Sequence, residues 1–293
     1  MTAPRYASPP AFKHALEQRL RDTGDLERRR QLLVYKRLLA RLVATLGDSV
    51  TLKGGLGLEM RLKRARTTRD IDLRMFGPTT DLLAHLQLAG RLDLGDFMSF
   101  SVRPDPHHPT ITGVRYEGQR FTVRCAIGHT EYARPFGLDV AFADPMLGEP
   151  DPIVADDTLG FAGVTPPTVR VYPVATHIAE KLHAYTLPRP RPNSRIKDLP
   201  DLALLATTGE LLASTLRAAL VQTFDFRATH PIPPRLPEPP PEWAAAYERM
   251  ARQDHLPWPT LPELEAAARR FLDPALTGRD EARWSPTLWT WAE

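Results

Sequence analysis

The chain has 293 residues, 42% of them hydrophobic and 25% charged, enough to bury a substantial core in one large domain or two smaller ones. Its single cysteine, Cys125, excludes an internal disulfide and a cysteine-based zinc site and fits a reducing cytosol. No apolar run approaches the roughly 18 residues that span a bilayer, and "MTAPRYASPPAFKHAL" lacks the apolar stretch of a secretory signal. A cytoplasmic protein with no membrane association is therefore expected. The formal charge of +3 is unevenly spread. Residues 1–76 hold 17 Lys/Arg against 8 Asp/Glu (+9), and residues 77–293 hold 21 against 27 (−6). A basic first quarter suits a polyanionic partner, nucleic acid or a nucleoside triphosphate; a solvated basic helix is the plainer explanation, and charge alone leaves both open.

In chain order, residues 11–46 show helical periodicity. Leu32, Leu33, Tyr35, Leu38, Leu39, Leu42 and Val43 share one broad face, with Arg28–Arg30, Lys36, Arg37 and Arg41 largely outside it. "SVTLK" (49–53) predicts a short strand running into Gly54-Gly55, "LGLEMRLK" a short helix, "DIDLRMF" a strand, and "TTDLLAHLQLAG" a helix that Gly90 would end. "FMSFSVRP", "GVRYEG", "QRFTVRCAIG" and "FGLDVAF" are strand-like, with a hairpin turn at Glu117-Gly118. From about residue 174 the pattern is helical, interrupted by "PIPPRLPEPPP" (231–241), whose seven prolines require an extended segment, expected as a strap over the second domain. The fold class expected is α+β. A basic N-terminal helical segment (1–48) packs on a mixed-sheet core (49–150), followed by a mainly helical domain (151–293).

The chemistry concentrates in "TLKGGLGLEMRLKRARTTRDIDL". Asp70 and Asp72 at i and i+2 of a strand point to one face. Two adjacent carboxylates repel unless a cation satisfies them, and Mg²⁺ (or Mn²⁺) prefers such ligands together with substrate phosphates. Asp139, alone among apolar neighbours in "FGLDVAF", is a candidate third metal ligand; three such carboxylates could hold two cations for in-line phosphoryl displacement. Gly54 and Gly55, where a strand gives way to a helix, would leave backbone N–H groups open to a phosphate, with Lys53 adding charge. No Walker A and no G-x-G-x-x-G pattern is present.

"KGGLGLEMRLKRARTTRDIDL" resembles the signature of AbiEii/AbiGii-type toxins in the DNA polymerase β-like nucleotidyltransferase superfamily: Lys-Gly-Gly, a short helix, then Arg-x-Thr-x-Asp-Ile-Asp. Two further stretches extend the resemblance. They are Glu180-Lys181-Leu182-His183-Ala184 followed by Arg195-Ile196-Lys197-Asp198-Leu199-Pro200-Asp201-Leu202, and "FDFRATHPIPPR" (224–235), which looks like a segment of the MenT branch. The resemblance implies a metal-dependent nucleotidyltransferase toxin that takes an NTP, adds nucleotide to the 3′ end of a tRNA acceptor arm and so blocks aminoacylation, with a cognate antitoxin. It implies Asp70 and Asp72 as catalytic metal ligands, Gly54 and Gly55 at the triphosphate, Lys181 as a catalytic residue on the nucleotide phosphates, and Asp198 as a further catalytic carboxylate. Arg195, three residues before Asp198, either pairs with it or clamps a phosphate. Asp201 and His183 are expected to be structural. Lys63, Arg64, Arg66 and Arg69, with Arg227 and His230, are the candidate RNA contacts. A monomer is expected. A same-fold enzyme that modifies a small molecule or protein hydroxyl, and a non-catalytic nucleotide-binding module, remain as alternatives.

Overall fold

The computed structural model describes residues 6–21, 25–62, 67–77, 80–111, 118–142, 144–189, 193–278 and 281–292. The chain divides into two compact units. The first is drawn from Met1–Lys53, Thr68–Ala143 and Asp151–Val171, the second from Gly54–Thr67, Asp144–Pro150 and Tyr172–Glu293.

The first unit is a sheet backed by helices. Helices α1 (Pro9–Arg21) and α2 (Leu26–Leu46) replace the single helical stretch expected over 11–46, and Asp25 caps the second by accepting from the Arg28 N–H. The strands are β1 (Val50–Lys53), β2 (Asp70–Met75), β3 (Met98–Pro104), β4 (Thr110–Ile111), β5 (Gly118–Ile127), β6 (Thr130–Phe142), β7 (Asp151–Val154) and β8 (Thr168–Val171). They form one mixed sheet in the order β3-β5-β6-β2-β1-β8-β7, with β4 beside β5; β2/β6 and β1/β8 are parallel. Alternation in β2 buries Ile71, Leu73 and Met75 and leaves Asp70, Asp72 and Arg74 on the other face.

Three local expectations are revised. Gly90 lies within α4 (Leu82–Arg91) rather than ending it, because a Cβ there would collide with the Phe100 carbonyl of β3; the glycine lets helix and strand approach closely. Gly118 opens β5, and Glu117, the other half of the expected turn, lies outside the described residues, as do most of the strand-like "GVRYEG" positions. The tight hairpin is at Gly128-His129, where Ile127 faces Thr130 and Gly128 has φ +61°. Arg37 and Arg41, which periodicity places largely outside the apolar stripe of the helix, are buried. Both bind Asp96 at 2.6 Å, and Arg41 also donates to the Met98 carbonyl at 2.6 Å, which ties α2 to the start of β3.

The second unit contains α3 (Gly54–Leu62), α5 (Val174–Thr186), α6 (Asp198–Leu205), α7 (Ala213–Arg227), α8 (Ala244–Asp254) and α9 (Leu261–Leu276), as the helical periodicity predicts. It also contains a small antiparallel sheet of β9 (Leu211–Leu212), β10 (Arg283–Ser285) and β11 (Thr290–Ala292), which periodicity over so few residues could not reveal. Trp284, Trp289 and Trp291 place their rings with Phe271 in one aromatic cluster. Each indole N–H is satisfied on a carbonyl, of Ala206, Ala267 and Phe271 respectively. Residues 231–240 of the proline-rich segment are neither helix nor strand, and Pro241 opens a single 3-10 turn to Trp243. Leu236 is fully buried and donates its N–H to Asp273 at 2.7 Å, and the Pro237 carbonyl accepts from the Tyr185 hydroxyl at 3.0 Å.

Candidate active site

In the first unit the sheet register lines up a row of charge. Lys53 on β1 faces Asp72 on β2, Asp72 faces Asp139 on β6, and Asp139 faces Arg120 on β5. Residues paired across strands project to the same face, so two carboxylates stand between two cations. One step along, Asp70 faces Gly137. A Cβ on Gly137 would stand 2.5 Å from Asp70 Oδ1, so the glycine's bare backbone is the space into which that carboxylate leans. Asp70 is exposed and Asp72 half-buried.

Asp139, the candidate third ligand, is held by an arginine. Arg120 Nε donates to Oδ1 at 2.8 Å and Nη2 to Oδ2 at 2.7 Å, a bidentate pair that engages both carboxylate oxygens. Hydrogen bonding to Asp139, with further attraction from Asp105 and Asp70, raises the Arg120 pKa above its ordinary value. Among the described residues no group of three or more His, Cys, Asp or Glu side chains is arranged to hold a metal ion. Asp70 and Asp72 nonetheless have the hard oxygen chemistry that Mg²⁺ favours, and the Gly137 cradle gives Asp70 room.

In the second unit, Gly54 takes φ +65°, a conformation that favours glycine, and opens α3; Gly55 follows, buried in its first turn. Lys181 on α5 reaches α6, where its Nζ bonds Asp198 Oδ1 at 3.0 Å and Asp201 Oδ2 at 2.8 Å. Both carboxylates are buried. Asp198 Oδ2 has no hydrogen-bond donor among the described residues, and its near cation is Arg195 at 3.8 Å. The sequence offered a signal for Asp201: it lies at i+3 from Asp198 on the same helix, hence on the same side. For Arg120 the signal was weaker, an alternating strand with nothing to indicate its partner.

Arg227 and His230 are brought into one network. Arg227 bonds Glu180 at 3.0 Å, lies 3.7 Å from Asp144 and contacts His183 Nδ1 at 3.3 Å. His183 Nε2 meets Thr229 Oγ1 at 2.8 Å, the same hydroxyl meets His230 Nδ1 at 2.9 Å, and His230 Nε2 meets Thr186 Oγ1 at 2.7 Å. Burial, followed by the charges of Arg227, His230 and Arg189, pushes the His183 pKa down to about 3, so this histidine is neutral at physiological pH. His230, also lowered by burial, lines a cavity of about 650 Å³ with Asp225 and Thr229. Arg69 is exposed, and Lys63, Arg64 and Arg66 lie outside the described residues; Thr67, just after them, is tied by its N–H and hydroxyl to the buried Asp254 at 3.1 and 2.7 Å. No helix among the described residues is long and apolar enough to cross a membrane.

A search of curated proteins returns no match. Among solved structures the chain is similar to MenT4, a nucleotidyltransferase toxin from Mycobacterium tuberculosis H37Rv, with a TM-score of 0.53 and 18% identity over 90% of this chain and 97% of that one. It is also similar to JHP933 from Helicobacter pylori (TM-score 0.45, 17% identity, 84% and 93% covered) and to a further nucleotidyltransferase from H. pylori described as unconfirmed (0.44, 14%, 86% and 97%). At these identities the likeness to MenT4 speaks to the fold. The family profile described as "Nucleotidyl transferase AbiEii toxin, Type IV TA system" matches residues 37–270, a span that contains the Gly-Gly turn, the Asp-x-Asp strand, Lys181 and Asp198. The chain belongs to the AbiEii nucleotidyltransferase toxin family of type IV toxin–antitoxin systems.

Proposed function

We propose that this nucleotidyltransferase acts on tRNA, joining nucleotide from an NTP to the 3′-terminal hydroxyl and so preventing aminoacylation. The observation that carries the reading is the Asp70/Asp72 pair on one strand face, preceded at the Gly54-Gly55 turn by amides suited to a triphosphate and separated from it by the basic residues Lys63, Arg64, Arg66 and Arg69. The hydroxyl oxygen attacks the α-phosphorus as its proton is lost to solvent, the bond to the β-phosphate breaks, and pyrophosphate leaves. Asp70 and Asp72 are the ligands for Mg²⁺, which when bound offsets the charge that develops on the phosphate oxygens. Lys53, Gly54 and Gly55 serve the triphosphate, Lys181 and Arg195 the nucleotide phosphates. Asp198 is the further catalytic carboxylate, supported by its buried Oδ2 without a donor among the described residues. Membership of a type IV family implies a cognate antitoxin.

The test is incubation of purified protein with total tRNA, Mg²⁺ and each labelled NTP in turn, beside an Asp72→Ala variant. Label at the tRNA 3′ end with one or two NTPs, lost in the variant, is the expected result. Absence of label with every NTP would remove tRNA as the acceptor and favour a small-molecule or protein hydroxyl.

A further inference from the structure

Asp139 would complete a set of three strand carboxylates, yet each of its oxygens already accepts a hydrogen bond from Arg120. A metal ion at Asp139 would have to share oxygens that already accept charge-assisted hydrogen bonds of 2.8 and 2.7 Å from a planar guanidinium, and would sit against that guanidinium's positive charge. The arginine is specified by the sheet itself: Arg120 and Asp139 are register partners, so the pairing is fixed by strand alignment rather than by a mobile loop. The backbone around it is fastened too, since the Arg120 N–H donates to the Pro109 carbonyl at 2.8 Å and its carbonyl accepts from the Asp105 N–H at 2.9 Å. Asp105 and Asp70 add electrostatic attraction to the guanidinium. Arg120 thus puts a permanent positive charge on the side of Asp139 away from Asp72.

We infer that Arg120, by engaging both oxygens of Asp139 and holding a positive charge beside them, keeps a second divalent cation off this carboxylate, so that the site takes one divalent cation on Asp70 and Asp72 while Asp139 serves as the anchor of the arginine. The inference rests on the nucleotide-transfer reading above and deepens it. An arginine does not exchange with solvent and cannot be removed by chelation. It offsets negative charge as a fixed donor, whereas a second ion would have to be recruited in each cycle.

The experiment counts bound Mn²⁺ by the loss of the free-ion electron paramagnetic resonance signal, with calorimetric titration alongside, on full-length wild type, Asp72→Ala, Asp139→Asn, Arg120→Gln and Arg120→Lys. Thermal melts confirm that each is folded. Wild type is expected to bind one Mn²⁺, lost in Asp72→Ala and retained with unchanged stoichiometry in Asp139→Asn. Arg120→Gln, which frees the Asp139 oxygens, is expected to admit a second Mn²⁺, and Arg120→Lys, which keeps the charge, is not. Two Mn²⁺ on wild type, one of them lost in Asp139→Asn, would overturn the inference while labelled-nucleotide transfer continued. Protein that bound no Mn²⁺ and transferred no nucleotide would remove both readings.

Discussion

Gly137→Ala separates the geometry of the candidate site from the stability of the fold. The added Cβ would stand 2.5 Å from Asp70 Oδ1 and 3.2 Å from its Cγ, and contacts below 3.4 Å are already tight. To reach 3.4 Å the oxygen must retreat about 0.9 Å, and a misplacement of about 1 Å in a reacting constellation can cost roughly 100-fold in rate. The group that must move is the end of a side chain, not the backbone, so the cost to folding is about that of an off-rotamer torsion, roughly 0.5–1.5 kcal/mol. Against this, alanine for glycine at a backbone conformation alanine can adopt gains roughly 0.4–1 kcal/mol by restricting the unfolded chain. The two nearly cancel, so the melting temperature should stay within about 2 °C of wild type for a chain of this size. The assays are calorimetric Mn²⁺ titration, labelled-nucleotide transfer and a thermal melt on the same preparation. Transfer should fall about 100-fold and Mn²⁺ affinity should weaken while the melt is unchanged. Wild-type transfer and affinity in a folded variant would refute the assignment of Asp70 as a ligand that leans over Gly137. A melt lowered by many degrees would refute the claim that the side chain, not the strand, absorbs the clash.

Lys181→Met should destabilise the chain as well as inactivate it. It leaves Asp198 and Asp201, 4% and 0% exposed, without the cation between them, at a cost of about 3–5 kcal/mol that urea midpoints would register. His183 gives a pH dependence whose sign follows from its depressed folded value of about 3 against an unfolded value near 6.5. Between those values the unfolded chain binds the proton and the folded chain does not. Its contribution is therefore complete above about pH 6.5 and declines as pH falls towards 3, at up to about 1.4 kcal/mol per pH unit. Urea unfolding at pH 7 and pH 5 should show that slope in wild type and a shallower one in His183→Asn. Replacing Lys63, Arg64, Arg66 and Arg69 with glutamine should weaken tRNA binding and reduce the slope of log K against log salt by about 0.7–0.9 for each phosphate no longer neutralised. An unchanged slope in filter binding across a salt series would show that this segment does not touch the tRNA backbone.

The helices and the central strands were legible because periodicity is local. Apolar residues at helical spacing in 26–46, 174–186 and 261–276, and alternation in "DIDLRM", specify which faces are buried whatever they pack against. The placement of the Gly-Gly turn and of the Asp-x-Asp strand was legible for a related reason: two carboxylates at i and i+2 must share a face, and glycine suits a strand-to-helix turn at positive φ. Strands β7 to β11 were not, since two to four residues carry too little pattern and their pairing comes from distant segments. Partnerships were the other blind spot. Sequence could read Asp139 only as an isolated strand carboxylate and Arg41 only as a cation outside the apolar stripe, because their partners lie 19 residues away at Arg120 and 55 away at Asp96. Residue type and spacing thus determined which groups could bind a metal or a phosphate. The sheet register and the helix packing decided which of them were already satisfied, because a charge buried or paired by tertiary contact takes its chemistry from a neighbour that no local window contains.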